Sequence, residues 1–157
     1  MPRTRTTPIC NIRWMIRRDL PDVLAIEQAS DPAPWCEEEF LRVLRQRNCI
    51  GMVAEADDRV LGFMIYTLHK SHLQVSKFAV TPEARRRGVG RQMMAKLVGK
   101  LGERRHRILI NVPLSERCDG PMFLKAMGFI ATAVFSDTPE PGIDTLEFVL
   151  RRDWIDS

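Results

Sequence analysis

At 157 residues and 45% hydrophobic content, the chain is long enough for one domain with a proper core. No apolar run approaches the roughly 20 residues of a membrane span, and no hydrophobic signal core follows the basic N-terminus, so no membrane role is expected and the chain is placed in the cytoplasm. The four cysteines (Cys10, Cys36, Cys49, Cys118) form no C-x-x-C pair, which points to reduced thiols rather than a disulfide frame or zinc, and no metal is expected. The net charge of +4 is unevenly placed: residues 1–18 hold five arginines and no acid, residues 84–107 nine basic residues and one acid, and the remainder is net acidic. Such a split suits an anionic cofactor and a cationic acceptor.

Residues 1–8 read as a loose basic arm. Ile9 to Arg17 reads as a strand, with Ile12, Trp14 and Ile16 alternating against Arg13 and Arg17. Asp19 is placed to cap a helix running to about Ser30, with Asp22 at capping-box spacing and Leu20, Val23, Leu24 and Glu27 on one face. After the loop Asp31-Pro32-Ala33-Pro34, a second helix spans roughly Cys36 to Arg47, with Phe40, Leu41 and Leu44 inward. Ile50–Ala56 and Val60–Leu68 form a hairpin around Asp57-Asp58, and His72–Val80 adds a further strand.

The strand's end, Phe78-Ala79-Val80, leads through Thr81-Pro82 into Arg85-Arg86-Arg87-Gly88-Val89-Gly90-Arg91. Proline stops the ladder because it has no N–H to donate. Beyond it Met93, Leu97 and Leu101 recur every four residues, one face of a helix that Gly102 ends. The basic loop therefore sits at a helix N-terminus, where unpaired N–H groups and the positive end of the dipole attract anions. Glycine at 88 and 90 lets an oxygen approach the amides, and the arginines add donors suited to phosphate. No Walker lysine follows, and the third glycine of a dinucleotide fingerprint is missing. The bland alternative is a solvated basic helix start. Ile108–Val112 then reads as a buried strand, Pro121–Met127 as a short helix closed by Gly128, and Phe129–Phe135 with Thr145–Leu150 as a strand pair around Thr138-Pro139-Glu140-Pro141-Gly142.

Arg85-x-x-Gly88-x-Gly90 after Phe78-Ala79-Val80 resembles the acetyl-CoA motif of the GNAT N-acetyltransferases, (Gln/Arg)-x-x-Gly-x-(Gly/Ala). The element order β-α-α-β-β-β-α-β-α-β-β matches that fold over nearly the whole chain. The resemblance implies an α/β (α+β) fold: a central mixed, mostly antiparallel sheet of about seven strands flanked by four helices, as a single domain over 1–157. It also implies acetyl-CoA as co-substrate, with loop amides holding its pyrophosphate. Phe78, Ala79, Val80, Arg85, Arg86, Arg87, Gly88, Val89, Gly90 and Arg91 would form the cofactor site, and a backbone N–H within Phe78-Ala79-Val80 would serve the oxyanion. Ile26-Glu27-Gln28, Pro34-Trp35 and Glu39-Phe40 look like the first helices of the ribosomal-protein alanine N-acetyltransferases, and Met127-Gly128-Phe129 resembles the family's Leu-Gly-Phe. In that subfamily this region and the late hairpin flank the groove for a protein N-terminus. Trp35 is equally readable as plain core packing.

The chain departs from that pattern at the proton-transfer groups. Asn111 stands at the subfamily's glutamate base and Leu124 at its tyrosine acid, while the only tyrosine is Tyr66 on an earlier strand. The family's CoA-contacting asparagine has only Glu116 or Arg117 nearby, and the late loop has no aromatic pair. A protein α-amine titrates near ~7.7–8.0 and a lysine near ~10.4, so a missing base favours a protein N-terminus, or a weakly basic small amine, as acceptor. A catalytically weakened acetyl-CoA-binding regulatory module remains the alternative. Nucleic acid is the least favoured partner, and monomer and homodimer are both open. His69 and His72, three apart, are expected to point to opposite faces. His72, Gln74 and Glu55 read as structural or surface residues before acceptor-channel ones, His106 as part of a solvated turn, Met93 and Met94 as core. Cys118 has no basic partner to make it a nucleophile.

Overall fold

The computed structural model describes residues 7–114 and 120–155. In chain order the elements are β1 (Asn11–Trp14), α1 (Leu20–Ser30), α2 (Glu37–Leu44), β2 (Cys49–Ala56), β3 (Arg59–Leu68), β4 (His72–Val80), α3 (Val89–Val98), β5 (Arg107–Pro113), α4 (Gly120–Ala126), β6 (Ile130–Phe135), β7 (Thr145–Arg151) and α5 (Arg152–Ile155). The seven strands form one sheet in the order β1-β2-β3-β4-β5-β7-β6. β4 and β5 run parallel, and β1-β2, β2-β3, β5-β7 and β6-β7 antiparallel. The expected mixed sheet and four principal helices are therefore present. The short α5 was not foreseen. No described helix is long and apolar enough to cross a membrane.

By contacts the chain divides into two compact units, Met1–Thr67 with Lys77–Gly99, and Leu68–Ser76 with Lys100–Ser157. In the first, Leu20, Val23, Ile26, Phe40, Val53, Phe63 and Ile65 form a buried cluster. Gly62 of β3 is pressed by α3: a Cβ there would lie 3.1 Å from Met93 Sδ and 3.0 Å from the Ala79 carbonyl. The β2–β3 hairpin turns at Asp57 and Asp58, both at positive φ, a conformation that the short polar Asp tolerates better than most side chains. In the second unit, Ile108 and Ile110 of β5, Phe148 and Leu150 of β7, and Leu124 and Phe129 are buried.

Two expectations at the N-terminal end are overturned. Trp14, expected to alternate inward, is 73% exposed. It lies on the four-residue edge strand β1, where Arg13 instead turns toward charge: its guanidinium pairs with both Asp19 carboxylate oxygens (2.8 and 2.9 Å) and with Glu55 (2.6 Å). The Asp19 carboxylate accordingly does not cap α1. It accepts the Ile16 N–H (2.8 Å) and closes a single 3-10 turn before the helix, and hydrogen bonding from Arg13 holds it below its ordinary pKa. Glu55 is thus a structural partner of Arg13.

Candidate functional site

The turn after β4 is built from backbone. The Thr81 N–H donates to the Leu61 carbonyl (2.7 Å), one 3-10 turn spans Pro82–Ala84, and the chain then reaches α3 through Arg86 (φ 61°) and Gly88 (φ 88°). Left-handed residues within a turn gather N–H groups into a concave, anion-binding array. Gly88 is the N-cap of α3, with no side-chain cap and no acid in the first turn. The helix start therefore keeps its positive end without a carboxylate in its own first turn to offset it.

Gly88 is required for a second reason that the sequence did not disclose. A Cβ there would lie 2.9 Å from Thr7 Cγ2. Gln92, one turn into α3, ties that N-terminal segment down: its Nε2 donates to the Pro8 carbonyl (2.7 Å) and its Oε1 accepts the Cys10 N–H (3.0 Å). Residues 7 and 8 of the expected loose arm are thus held against the loop, and residues 1–6 lie outside the described part.

The arginines divide their work. Arg85 folds back, donating from Nε to the Val80 carbonyl (3.1 Å) and from Nη2 to Ser30 Oγ (3.0 Å), so it braces the end of β4 against the end of α1. Arg86 and Arg91 are exposed, Arg87 and Gly90 half-buried, and Val89 is packed in the core. Phe78, Ala79 and Val80 lie half-buried at the end of β4. Met93 and Met94 are core residues, as expected.

The α1–α2 loop is clamped by Lys77. Its ammonium lies 2.6 Å from Glu27 Oε2 and 2.7 Å from Asp31 Oδ2, and 4.8 Å from the centroid of the Trp35 ring. The same Glu27 oxygen accepts the Trp35 N–H (3.0 Å), and Asp31 Oδ1 accepts the Ala33 N–H (2.9 Å). Trp35 meets Phe40 edge-on at 5.2 Å, so it supports the core while half-exposed. Tyr66 is fully buried in β3 with its hydroxyl unpartnered among the described residues, and burial raises its pKa. It does not supply an accessible acid.

In the second unit, Leu124 is buried (2% exposed), filling the core where the resemblance would place an acid. Gly128, at φ +97° behind α4, brings Phe129 back so that its N–H reaches the Leu124 carbonyl (2.9 Å). Asn111 is exposed on β5, and its partner across the ladder is Glu147 of β7. Glu147 is half-buried, and its Oε1 accepts the Thr132 hydroxyl (2.9 Å). Sequence reading passed over Glu147 because the register that sets it beside Asn111 spans 36 residues of chain. His69 and His72 are not on opposite faces: their rings stack at 4.6 Å, 10° apart. His69 precedes the strand, and its N–H donates to the His72 carbonyl (2.9 Å), so strand alternation does not govern it. Burial lowers the His72 pKa, with further lowering from His69 and Arg107 and a smaller opposing pull from Glu147. His106 is half-buried rather than solvated; its N–H donates to the Ser71 carbonyl (3.2 Å), and its carbonyl accepts the Arg152 N–H (2.7 Å). Glu116, Arg117 and Cys118 lie outside the described residues.

The chain is 33% identical over 86 residues to the [ribosomal protein bS18]-alanine N-acetyltransferase of Salmonella typhimurium, a match covering 55% of this chain and 57% of that relative. Its fold is shared with the ribosomal-protein-S18-alanine N-acetyltransferase of Escherichia coli (TM-score 0.79, 20% identity, 91% of this chain and 94% of that one). It is shared also with Ard1 of Thermoplasma volcanium (TM-score 0.80, 21% identity, 90% and 97%). The model of the Acetyltransferase (GNAT) family matches residues 17–129, a span that includes the glycine loop and all of α1–α4, and the chain belongs to that family.

Proposed function

We propose that this chain, as one domain over 1–157, is an acetyl-CoA-dependent N-acetyltransferase whose acceptor is a protein N-terminal α-amine. The observation that carries this reading is the start of α3: a left-handed Gly88, an uncapped helix N-terminus without acid, and exposed Arg86 and Arg91 beside it. That donor set fits a diphosphate, since N–H groups and guanidinium together supply directed, charge-assisted hydrogen bonds. Gly88, Val89 and Gly90 would offer the amides, and Arg86, Arg87 and Arg91 the charge. Arg85 acts indirectly, by fixing the Val80 carbonyl and hence the end of the strand Phe78-Ala79-Val80. Acetyl-CoA supplies the activated acyl group. A backbone N–H of that strand would stabilise the oxyanion, a contribution that needs no particular side chain.

The acceptor class rests on family membership, on the match to an alanine N-acetyltransferase and on basicity. An α-amine is partly neutral near pH 7 and a lysine is not. The reading is tested by free-thiol release from acetyl-CoA over peptides with free α-amines, the same peptides N-blocked but bearing lysine, and small amines. Release with the first group is expected. Release only with lysine or a small amine overturns the α-amine assignment, and acetyl-CoA binding without release from any amine would make the chain a regulatory CoA-binding module. Cytoplasmic location and a monomeric or homodimeric state are part of the same proposal.

A further inference from the structure

We propose that Lys77 is a positioning residue of the transfer reaction: together with Arg85 it fastens the strand end Phe78-Ala79-Val80, from both sides, to the C-terminal end of α1. The role rests on the acetyl-transfer reading above. An oxyanion site acts through donors that are aimed before the reaction starts, so the amides of that strand end must be held still. β4 pairs with β5 from His72 to Val75, short of this segment. Toward β3, the Thr81 N–H meets the Leu61 carbonyl (2.7 Å) just beyond it.

Two cations bracket the three residues. Lys77, directly before them, sends its ammonium to Glu27 Oε2 (2.6 Å) and Asp31 Oδ2 (2.7 Å), with the Trp35 ring centroid 4.8 Å away. Arg85, in the turn behind them, donates to the Val80 carbonyl (3.1 Å) and to Ser30 Oγ (3.0 Å). The Ser30 hydroxyl in turn donates to the Ile26 carbonyl (2.6 Å), so the helix sets its place. Glu27, Ser30 and Asp31 are the last turn of α1 and its C-cap. That turn holds no basic side chain of its own, so the cations at the negative end of the helix come from β4 and the turn after it.

Stability alone does not account for Lys77. Its side chain is 13% exposed and that of Glu27 2%, and an apolar pair of similar volume often serves a fold as well as a buried ion pair. What the ion pair adds is register. One ammonium must meet two carboxylates four residues apart on α1, which fixes where the residue before Phe78 sits against the helix.

The test is thiol release with an α-amine peptide, acetyl-CoA titration and urea unfolding on the same variants. Because Lys77→Met alone strands Glu27, the deciding variant is Lys77→Met with Glu27→Gln. It removes both buried charges, keeps an acceptor for the Trp35 N–H and leaves Asp31, 35% exposed, to solvent. Its urea midpoint is expected to return most of the way to wild type, its acetyl-CoA dissociation constant to stay unchanged, and its kcat to stay roughly 10–10²-fold low. A merely structural pair would let kcat return with the midpoint, and that result overturns the role. So does a fall in rate matched by an equal weakening of acetyl-CoA binding. Should the midpoint not return, Asp31→Asn decides, since it leaves Glu27 paired: about a two- to fivefold lower kcat at unchanged acetyl-CoA affinity is expected, and wild-type kcat overturns the role. Each of these results leaves the acetyltransferase reading standing. A wild-type chain that binds acetyl-CoA yet releases no thiol from any amine overturns that reading and this role with it.

Discussion

Two carboxylate sites in this molecule are handled in opposite ways. At the α1–α2 loop, Glu27 and Asp31 share one ammonium, Lys77, whose side chain is 13% exposed; Glu27 Oε2 also accepts the Trp35 N–H, and Asp31 Oδ1 the Ala33 N–H. On the β6–β7 pair, Glu147 accepts the neutral Thr132 hydroxyl, and its charge reaches the His72 ring. A carboxylate that holds a cation and an amide is built into the fold, whereas one held by a hydroxyl costs the fold little to lose.

The largest expected effect follows from that contrast. Lys77→Met strands a nearly fully buried Glu27 and should cost about 3–5 kcal/mol, whereas Glu147→Gln should lie within about 0.5 kcal/mol of wild type in the same urea unfolding series. Equal losses would erase the distinction. Gly88→Ala comes next: a left-handed alanine costs about 1–2 kcal/mol before its Cβ meets Thr7, and differential scanning calorimetry reads the sum. Asp31→Asn keeps the Ala33 contact but gives up the outer, more exposed half of the clamp, and should cost about 0.2–1 kcal/mol in the same scan.

The two regions should also differ in the sign of their pH dependence. Burial by itself would lower the Lys77 pKa, but hydrogen bonds to Asp31 and Glu27 outweigh it and raise the pKa. The clamp's contribution is therefore complete below the unfolded value of about 10.4 and fades as pH rises through the folded one. His72 shifts the other way, its pKa lowered chiefly by burial. Its contribution is complete above the unfolded value of about 6.5 and is lost as pH falls through the folded one. Urea midpoints between pH 5 and pH 11 check both limbs, and His72→Gln should flatten only the acidic one.

What could be read from the sequence was what depends on neighbours along the chain. The glycine loop is one such stretch: strand, proline, basic turn and periodic helix all lie between residues 72 and 98, and β4 begins and ends where the residues 72–80 placed it. The hairpin at Asp57-Asp58 and the helix end at Gly128 are equally local. Contacts between distant segments were not legible. Thr7 meets Gly88, and Gln92 holds Pro8 and Cys10, across more than 80 residues, and no composition or spacing rule announces such a strap. Arg85 looked like a phosphate donor because it precedes the glycines, yet its side chain points back to Val80 and Ser30. Glu147 escaped notice for the same reason: its pairing with Asn111 depends on which strand is neighbour to which, and its partner Thr132 on a bulge.

The central claim is that the start of α3 holds a diphosphate, and the most direct test changes the ligand rather than the protein, because Gly88 also serves Thr7. Isothermal titration with acetyl-CoA and with acetyl-pantetheine, which carries the same thioester without the diphosphate, isolates that contact. The account predicts clear binding of acetyl-CoA and a loss of at least about 100-fold for acetyl-pantetheine, the worth of two or more charge-assisted hydrogen bonds. Equal affinity for the two ligands, or no heat with acetyl-CoA at all, would contradict it.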